Sequence, residues 1–456
     1  MTHTQQTLAL LRDYESPNIL PIETDLSGPI VWEKAQGVQV TDADGKKYLD
    51  LTAAFGVAAA GHANPRVVAA GRKQMGKLLH AMGDVYPHAR KAELARELSR
   101  LTFERWTAHR GSGVPPLLRE VKNRNQAVKS GVITAKTIFT NSGFEAVEAA
   151  LKTALLATGR RHILAFEGGY HGLGYGALNA TYRAHFRQPF RRQIGQFGAF
   201  VPFPKKEADL PALEKAVRSA HRKHPLGAII VEPVQVRGGV NIPPASFLPL
   251  LRKLCDQTGA LLILDEIYTG FGRTGQWFAC EHSAAVPDLI CLGKALTGGF
   301  PLSACVGRAD LMDAAWPRST GEAIHTSTFL GHPVGCAMAL AQIREIHTRR
   351  LPERSAKLGE FLLSELLAWT APAVCPIEFR GLGLLVGAEF IIPGGQPATT
   401  AALAVLRHLL RSGFIVLPEG EASNIISFTP PLTVTRPQLT TAARAFALAV
   451  EALPPL

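Results

Sequence analysis

Residues 260–294 read ALLILDEIYTGFGRTGQWFACEHSAAVPDLICLGK, and two apolar runs within them set the fold class. Ala260–Leu264 is apolar throughout and ends at Asp265-Glu266; Leu289–Leu292 is apolar throughout and ends at Gly293-Lys294. Short uninterrupted runs suit strands covered on both faces, whereas half-exposed strands alternate. Just upstream, Leu248–Cys255 carries apolar residues at helical spacing and leads into Thr258-Gly259, a helix end. Working back, Ala228–Val231 stops at Glu232-Pro233, Ile163–Phe166 at Glu167-Gly168-Gly169, and Thr137–Thr140 at Asn141-Ser142-Gly143. Apolar strands separated by helical segments predict an α/β protein with a mostly parallel central sheet. Each strand delivers a charged or Gly-rich loop at its carboxyl end, where open α/β sheets hold ligands.

The flanks differ. Ile30–Asp50 reads as short strands with a turn at Asp44-Gly45. Beyond about residue 335 come a helix over Val334–Ile346 and strand-like Gly383–Ile392 and Phe414–Leu417. These predict a large domain over residues 76–335 and a small α+β domain built from both termini, residues 1–75 and 336–456. Arg105–Lys136, rich in Gly, Pro and basic groups, reads as a loop or insertion.

Composition narrows the function classes. The chain has 456 residues and is 46% hydrophobic, which excludes intrinsic disorder. Its 42 Gly and 31 Pro follow no triplet period, which excludes a collagen-like repeat. No apolar run approaches the ~20 residues of a membrane span, and MTHTQQTLALLRDYE lacks the basic, apolar and small-residue regions of a signal peptide. A cytoplasmic protein without membrane association is expected. The six cysteines form no C-x-x-C and there is no H-E-x-x-H, so buried thiols are expected rather than disulfides or a metal site. The net charge of +12 is dispersed over basic stretches such as Arg183–Arg192 and Arg218–His224, with no aromatic stacking platform. It suits anionic small ligands better than nucleic acid.

Three features carry chemistry. Lys294 follows an apolar strand and is flanked by apolar and Gly residues; a lysine buried there has a lowered pKa and can attack a carbonyl to form a Schiff base. Asp265, at the mouth of a buried strand, suits either a structural ion pair or a cationic ring nitrogen, and a lysine with an acid is what pyridoxal phosphate requires. Asn141-Ser142-Gly143-Phe144-Glu145 lies between a strand and an Ala-rich helix over Ala146–Ala157, making either an ordinary N-cap or an anion site. Gly270–Gly275 fits G-x-G-x-x-G, but Asp265 and Glu266 intervene after the strand and no clear helix follows, so a dinucleotide site is not expected.

From Asp42 to Ala447 the chain resembles the class III, or omega, aminotransferases, which are fold-type-I pyridoxal-phosphate enzymes. The resemblance is carried by Asp44-Gly45 with Tyr48-Leu49-Asp50, Gly61-His62 with Pro65, Asn141–Glu148, Gly169-Tyr170-His171-Gly172 and Glu232–Gln235. It continues through Leu264–Ile267 with Thr269–Gly275, Lys294, Thr328-Phe329 with Gly331 and Pro333, and Arg380–Gly383. It implies that Lys294 holds pyridoxal 5'-phosphate as a Schiff base and relays the proton, while Asp265 binds the pyridinium nitrogen. It also implies that Tyr170 covers one ring face and Ile267 the other, with His171 and Glu232 among the cofactor-binding residues. Ser142, Gly143 and Phe144 would hold the phosphate, aided by Thr328 of a second subunit. The implied reaction is ping-pong transamination from an amine donor to a 2-oxo acid, pyruvate or 2-oxoglutarate, by a homodimer. A racemase, aminomutase or decarboxylase of the same fold shares the Lys and Asp; a cofactor-binding regulator or nucleic-acid-binding protein is a more distant alternative.

The departures from the family concern the substrate. Ser427, in Ile426-Ser427-Phe428-Thr429-Pro430-Pro431-Leu432, stands where many members place a carboxylate-gripping Arg, and Arg237 stands where those members place that Arg's Glu partner. Loss of both favours amines, polyamines or amino sugars as donor. Arg237 reads equally as a new carboxylate clamp or as a solvated or structural residue. Tyr268 replaces a Gln that holds the ring hydroxyl, where a phenol could still donate, and Phe55 would wall the pocket.

Overall fold

The computed structural model describes residues 1–19, 29–108, 133–370 and 375–454. A helix over His3–Tyr14 precedes three short antiparallel strands, β1 (Trp32–Gln36), β2 (Gln39–Asp42) and β3 (Lys47–Asp50), the last two joined across Asp44-Gly45. The middle of the chain supplies β4 (Ala135–Thr140), β5 (His162–Phe166), β6 (Gly198–Val201), β7 (Leu226–Val231), β8 (Leu261–Asp265), β9 (Leu289–Leu292) and β10 (Ser303–Arg308). They form one sheet in the order β4-β10-β9-β8-β7-β5-β6. It is parallel from β9 to β6; β10 runs antiparallel to both β9 and β4. The sheet is thus mostly parallel, as the apolar runs predict, with one reversed strand.

The uninterrupted apolar runs have a packing cause. All six residues of β7 are buried. Ile229 and Val231 join a core with Leu213 and Val217 of the helix Leu210–Lys223 and Leu251 of the helix Phe247–Thr258. Ala228 and Ile230 pack on the other face with Ala146 and Ala150 of the helix Gly143–Thr158. With both faces covered, no position of the strand selects a polar residue, and each fully buried Ile or Val contributes ~1.5–3 kcal/mol. Gly259 takes a left-handed φ of 69° at the end of Phe247–Thr258, the cap expected at Thr258-Gly259.

A second four-stranded sheet has the order β11 (Ile377–Gly381), β12 (Val386–Phe390), β15 (Ile425–Phe428), β14 (Leu417–Glu419). The segment expected as one strand over Phe414–Leu417 divides. β13 (Phe414–Ile415) pairs in parallel with β3 and completes the N-terminal sheet, whereas β14 pairs with β15. The strand expected over Gly383–Ile392 is confined to Val386–Phe390, and the helix over Val334–Ile346 extends over Pro333–Thr348. Of the stretch read as an insertion, Arg105–Thr107 is helical, β4 begins at Ala135, and residues 109–132 lie outside the described residues. All six cysteines are free and buried. Among the described residues no helix is long and apolar enough to cross a membrane.

Candidate active site

Because β4 opposes β10, which opposes β9, the strands β4, β5, β7, β8 and β9 all point the same way. Their carboxyl ends bring the loops beginning at Asn141, Glu167, Glu232, Glu266 and Gly293 to one edge of the sheet. Sequence positions scattered over more than 150 residues thereby form one cleft.

Its floor is a buried charged pair. Asp265, the last residue of β8, accepts from the Ile267 backbone N–H at 3.1 Å and meets His171 Nδ1 at 2.7 Å through Oδ2. Burial alone would depress the imidazolium pKa of His171, but the hydrogen bond and charge of Asp265 outweigh it and the pKa is raised. His171 Nε2 is buried and has no hydrogen-bond partner among the described residues. Glu232 accepts from the backbone N–H groups of Tyr170 at 2.9 Å and Val236 at 3.3 Å, which anchors the aromatic loop to the end of β7. Burial pushes its carboxyl up to about 7.

Lys294 follows β9 with a positive φ of 37°, a strained backbone for a side chain of this size. Its Nζ lies 4.6 Å from the Tyr268 ring centroid. Burial lowers the ammonium pKa, partly offset by the negative charges of Asp265 and Glu232. The Tyr268 hydroxyl contacts Thr429 Oγ1 at 3.2 Å, and Thr429 Oγ1 donates to the Thr52 carbonyl at 3.2 Å. The single Thr429 proton is thus spent on Thr52, so Tyr268 is the donor to Thr429. In this arrangement the phenol keeps acceptor capacity while its proton is directed to Thr429.

The strained turn that carries Phe55 passes beside this phenol at Gly56. Ala53, Ala54 and Phe55 have φ of 48°, 48° and 60°. Asp50 supports the turn by accepting from Thr52 N at 2.8 Å, Thr52 Oγ1 at 2.6 Å and Ala54 N at 3.1 Å, with His62 Nε2 at 2.7 Å. Gly56 follows at φ 80°, and a Cβ there would stand 2.8 Å from Tyr268 Cε1. Phe55 itself is 50% exposed, at the rim rather than in the core.

The helix Gly143–Thr158 begins at the same edge. Glu145 Oε2 accepts from the backbone N–H groups of Asn141 and Ser142, both at 2.8 Å, and from Ser142 Oγ at 3.1 Å. The Ser142 hydroxyl proton is therefore used locally, leaving the helix's first N–H groups, which have no partner within the helix, to face an anion. A Cβ on Gly143 would lie 2.9 Å from Ile267 Cδ1, and one on Gly293 3.3 Å from Ile267 Cγ2, so Ile267 touches both the helix start and the lysine loop. Phe144 is 40% exposed at the rim. Thr328 lies on an exposed turn whose neighbour Ser327 accepts from Asn141 Nδ2 at 3.5 Å. Within one chain it is thus near the helix start without being enclosed.

The loop over Gly270–Gly275 has a different use. Arg273 is fully buried and donates to the carbonyls of Leu384 at 2.9 Å and Pro430 at 2.6 Å, and no helix follows before Ala279. It ties the central sheet to the C-terminal segments rather than opening a dinucleotide site.

Arg237 and Ser427 are separated in role. Ser427 is buried, and its hydroxyl donates to the Leu417 carbonyl at 3.4 Å. Arg237 is half-buried, with Cζ 5.7 Å from the Tyr170 ring centroid, and its Nε is 3.7 Å from Oε2 of Glu419. Glu419 was not marked by the sequence, since Pro418-Glu419-Gly420-Glu421 reads as a polar turn. Thr429 and Arg183, whose guanidinium donates to the Arg237 carbonyl at 2.6 Å, were also missed. The signal for Glu419 is its register: it ends β14 opposite Ile425, two residues from Ser427 on β15.

The residues present fit pyridoxal phosphate. A lysine of lowered pKa, a buried carboxylate for a cationic ring nitrogen, a buried unpartnered imidazole nitrogen and a glycine-narrowed helix start lie at one sheet edge. The family model described as Aminotransferase class-III matches residues 23–450. The chain is 36% identical over 447 residues to the putrescine aminotransferase of Pectobacterium atrosepticum, with 95% of this chain and 86% of that one covered. It is 34% identical over 411 residues to the acetylornithine aminotransferase of Methanosarcina mazei, with 90% and 89% covered. Among solved structures, an amine transaminase from an uncultivated Pseudomonas species in its PLP-bound form matches with a TM-score of 0.79 at 28% identity, covering 94% of this chain and 97% of that one.

Proposed function

The chain belongs to the class III aminotransferases, and from that premise we propose that it moves the amino group of a primary amine or omega-amino compound to pyruvate or 2-oxoglutarate in two successive half-reactions. It is a pyridoxal-phosphate enzyme of fold type I that transfers amino groups. When bound, the cofactor supplies an aldehyde that receives the amino group and a ring that withdraws electrons from the donor carbon.

The protein's own part follows from the cleft. Lys294 Nζ, whose pKa burial lowers, would both attach the cofactor and carry the proton as the general base and acid. Asp265, oriented by His171, keeps the ring nitrogen protonated. Glu232 fixes the Tyr170 loop; Tyr170 and Ile267 would hold the cofactor ring between them, and Ser142, Gly143 and Phe144 would present the helix start to its phosphate. The observation that carries the proposal is that the adjacent parallel strands β8 and β9 deliver Asp265 and Lys294 to the same sheet edge, with Lys294 Nζ 4.6 Å from the Tyr268 ring centroid.

The donor class rests on Ser427 and Arg237. Ser427 is buried and neutral, so no fixed cation grips a donor carboxylate on β15. Arg237 offers its guanidinium to the carboxylate of the oxo acid. The named substrate of the Pectobacterium relative is putrescine, a diamine, which agrees with a donor lacking a carboxylate. Phe55 walls the entrance.

The active form is a cytoplasmic homodimer in which Thr328 completes the partner's phosphate site. In support, Thr328 and Phe329, and Ile324 four residues before Thr328, are exposed, Phe329 at 53% and Ile324 at 64%. The large domain is residues 76–335 and the small domain is formed by both ends of the chain. A panel of amines and amino acids tested with each oxo acid checks the reading: amines should be converted, and Lys294→Ala should abolish turnover. Full-rate turnover by Lys294→Ala would overturn the mechanism, and light scattering at 49.0 kDa rather than twice that mass would overturn the dimer.

A further inference from the structure

Glu419 is a buried carboxylate that no hydrogen bond among the described residues satisfies. Its side chain is 1% exposed, and neither oxygen has a hydrogen-bond partner among the described residues. A buried ionised group without hydrogen bonds is costly, so such a group in a functional cleft marks a ligand's place. The nearest cation, Arg237, approaches only to 3.7 Å, beyond hydrogen-bonding distance, and is itself 32% exposed. It screens the charge without satisfying it, and its side chain already reaches solvent.

The two residues are held together by backbone. The Gly420 N–H donates to the Arg237 carbonyl at 3.2 Å, and Arg183 donates to the same carbonyl at 2.6 Å. Pairing of β14 with β15 then fixes Glu419 opposite Ile425. The carboxylate lies at the edge of the site: Arg237, whose Nε is 3.7 Å from Glu419, has its Cζ 5.7 Å from the ring centroid of Tyr170. Burial pushes the Glu419 pKa up to about 7, with Arg237 and Arg183 opposing, so a cation beside it would restore the charged form.

We infer that Glu419 receives the distal ammonium of a diamine donor while the other amine reacts at Lys294, with Arg237 moving aside to admit it. The inference rests on the amino-transfer reading and adds the residue that selects the donor. A cationic far end gains a buried charge partner that a monoamine of the same length cannot use, while a far carboxylate meets repulsion from Glu419.

The test compares a diamine with the monoamine in which a methyl group replaces the distal ammonium, using the holoenzyme and pyruvate. In Glu419→Gln the ratio of kcat/KM for diamine over monoamine should fall at least about 30-fold, through KM, as expected when one member of a buried charge pair is removed. Glu419→Asp, which retains the charge, should keep part of the preference. An unchanged ratio in Glu419→Gln, or an equal loss on both amines, overturns the inference. Calorimetric binding of the diamine to Lys294→Ala, with and without Glu419→Gln, reads the anchor without turnover. Equal affinities there overturn the inference even where amino transfer is observed, whereas weaker binding to the double variant supports it even if transfer is absent and the transaminase reading fails.

Discussion

His171 Nδ1 and Asp265 Oδ2 stand 2.7 Å apart, and the two side chains are only 1% and 5% exposed. The imidazole fixes one carboxylate oxygen and the Ile267 N–H fixes the other at 3.1 Å, so Asp265 has a set orientation at the end of β8.

Replacing Asp265 by Asn should therefore cost more than replacing its support. Asp265→Asn is expected to lower kcat/KM about 1000-fold, ~4 kcal/mol, the size of a broken buried charge pair. His171→Gln should lower it about 10-fold, ~1.4 kcal/mol, mainly in kcat. Steady-state kinetics on one amine donor decides the order.

Phe55 occupies a backbone region that costs an ordinary residue ~1–3 kcal/mol and that glycine adopts freely. Relief of that strain and the added flexibility of the unfolded chain should nearly cancel, so Phe55→Gly should leave stability within about 1 kcal/mol of the parent. The lost wall should reduce kcat/KM about 10-fold for amines with apolar substituents. Thermal unfolding and kinetics on the same preparation separate the two effects.

Gly143 is fitted to Ile267. In Gly143→Ala the new Cβ lies 2.9 Å from Ile267 Cδ1, so either Ile267 or the helix start must shift. Cofactor binding should weaken about 10-fold, ~1.4 kcal/mol, measured by titrating the apoprotein with pyridoxal phosphate. Unchanged affinity would place the cofactor phosphate elsewhere.

Glu419 also sets a pH dependence of stability. Its pKa is raised from 4.5 to about 7, chiefly by burial, with Arg237, Arg183 and Lys294 lowering it and Glu232 raising it. The folded chain then holds a proton that the unfolded chain has released between those values, so stability falls as pH rises through that window and levels off above it. The loss is about 3 kcal/mol at most. Glu419→Gln should remove this slope: relative to the parent it should gain stability above pH 7 and not below pH 5, read from denaturant midpoints of the apoprotein.

The sequence displayed the central sheet because burial on both faces leaves a continuous apolar signature, as in Ala228–Val231 and Leu289–Leu292. The neighbouring strands β6 and β10 went unread. Gly198-Ala199-Phe200-Val201 is brief, and Ser303–Arg308 mixes small and polar residues because its place is set by pairing with β4 and β9. Lys294 and Asp265 were legible since each stands at the carboxyl end of an apolar run, Ala260–Leu264 for Asp265 and Leu289–Leu292 with Gly293 for Lys294. Glu419 was not, because Pro418 and Gly420 give it the look of a solvated turn, and only pairing across β15 buries it. The hydrogen-bond partner of Tyr268 was not legible for a similar reason: Thr429 lies 161 residues away in sequence.

The parallel seam between β3 and β13 has a kinetic consequence. Leu49 pairs with Phe414, and nearby Lys46 Nζ donates to the Arg411 carbonyl across 365 residues. On the ribosome the first three strands emerge early but must wait for almost the whole polypeptide before their fourth neighbour exists. Nascent chains should hold an open hydrogen-bonding edge at β3 throughout that interval, the kind of edge that invites mispairing and recruits chaperones. Closing this seam is therefore among the last events of folding, and its long sequence separation makes it slow.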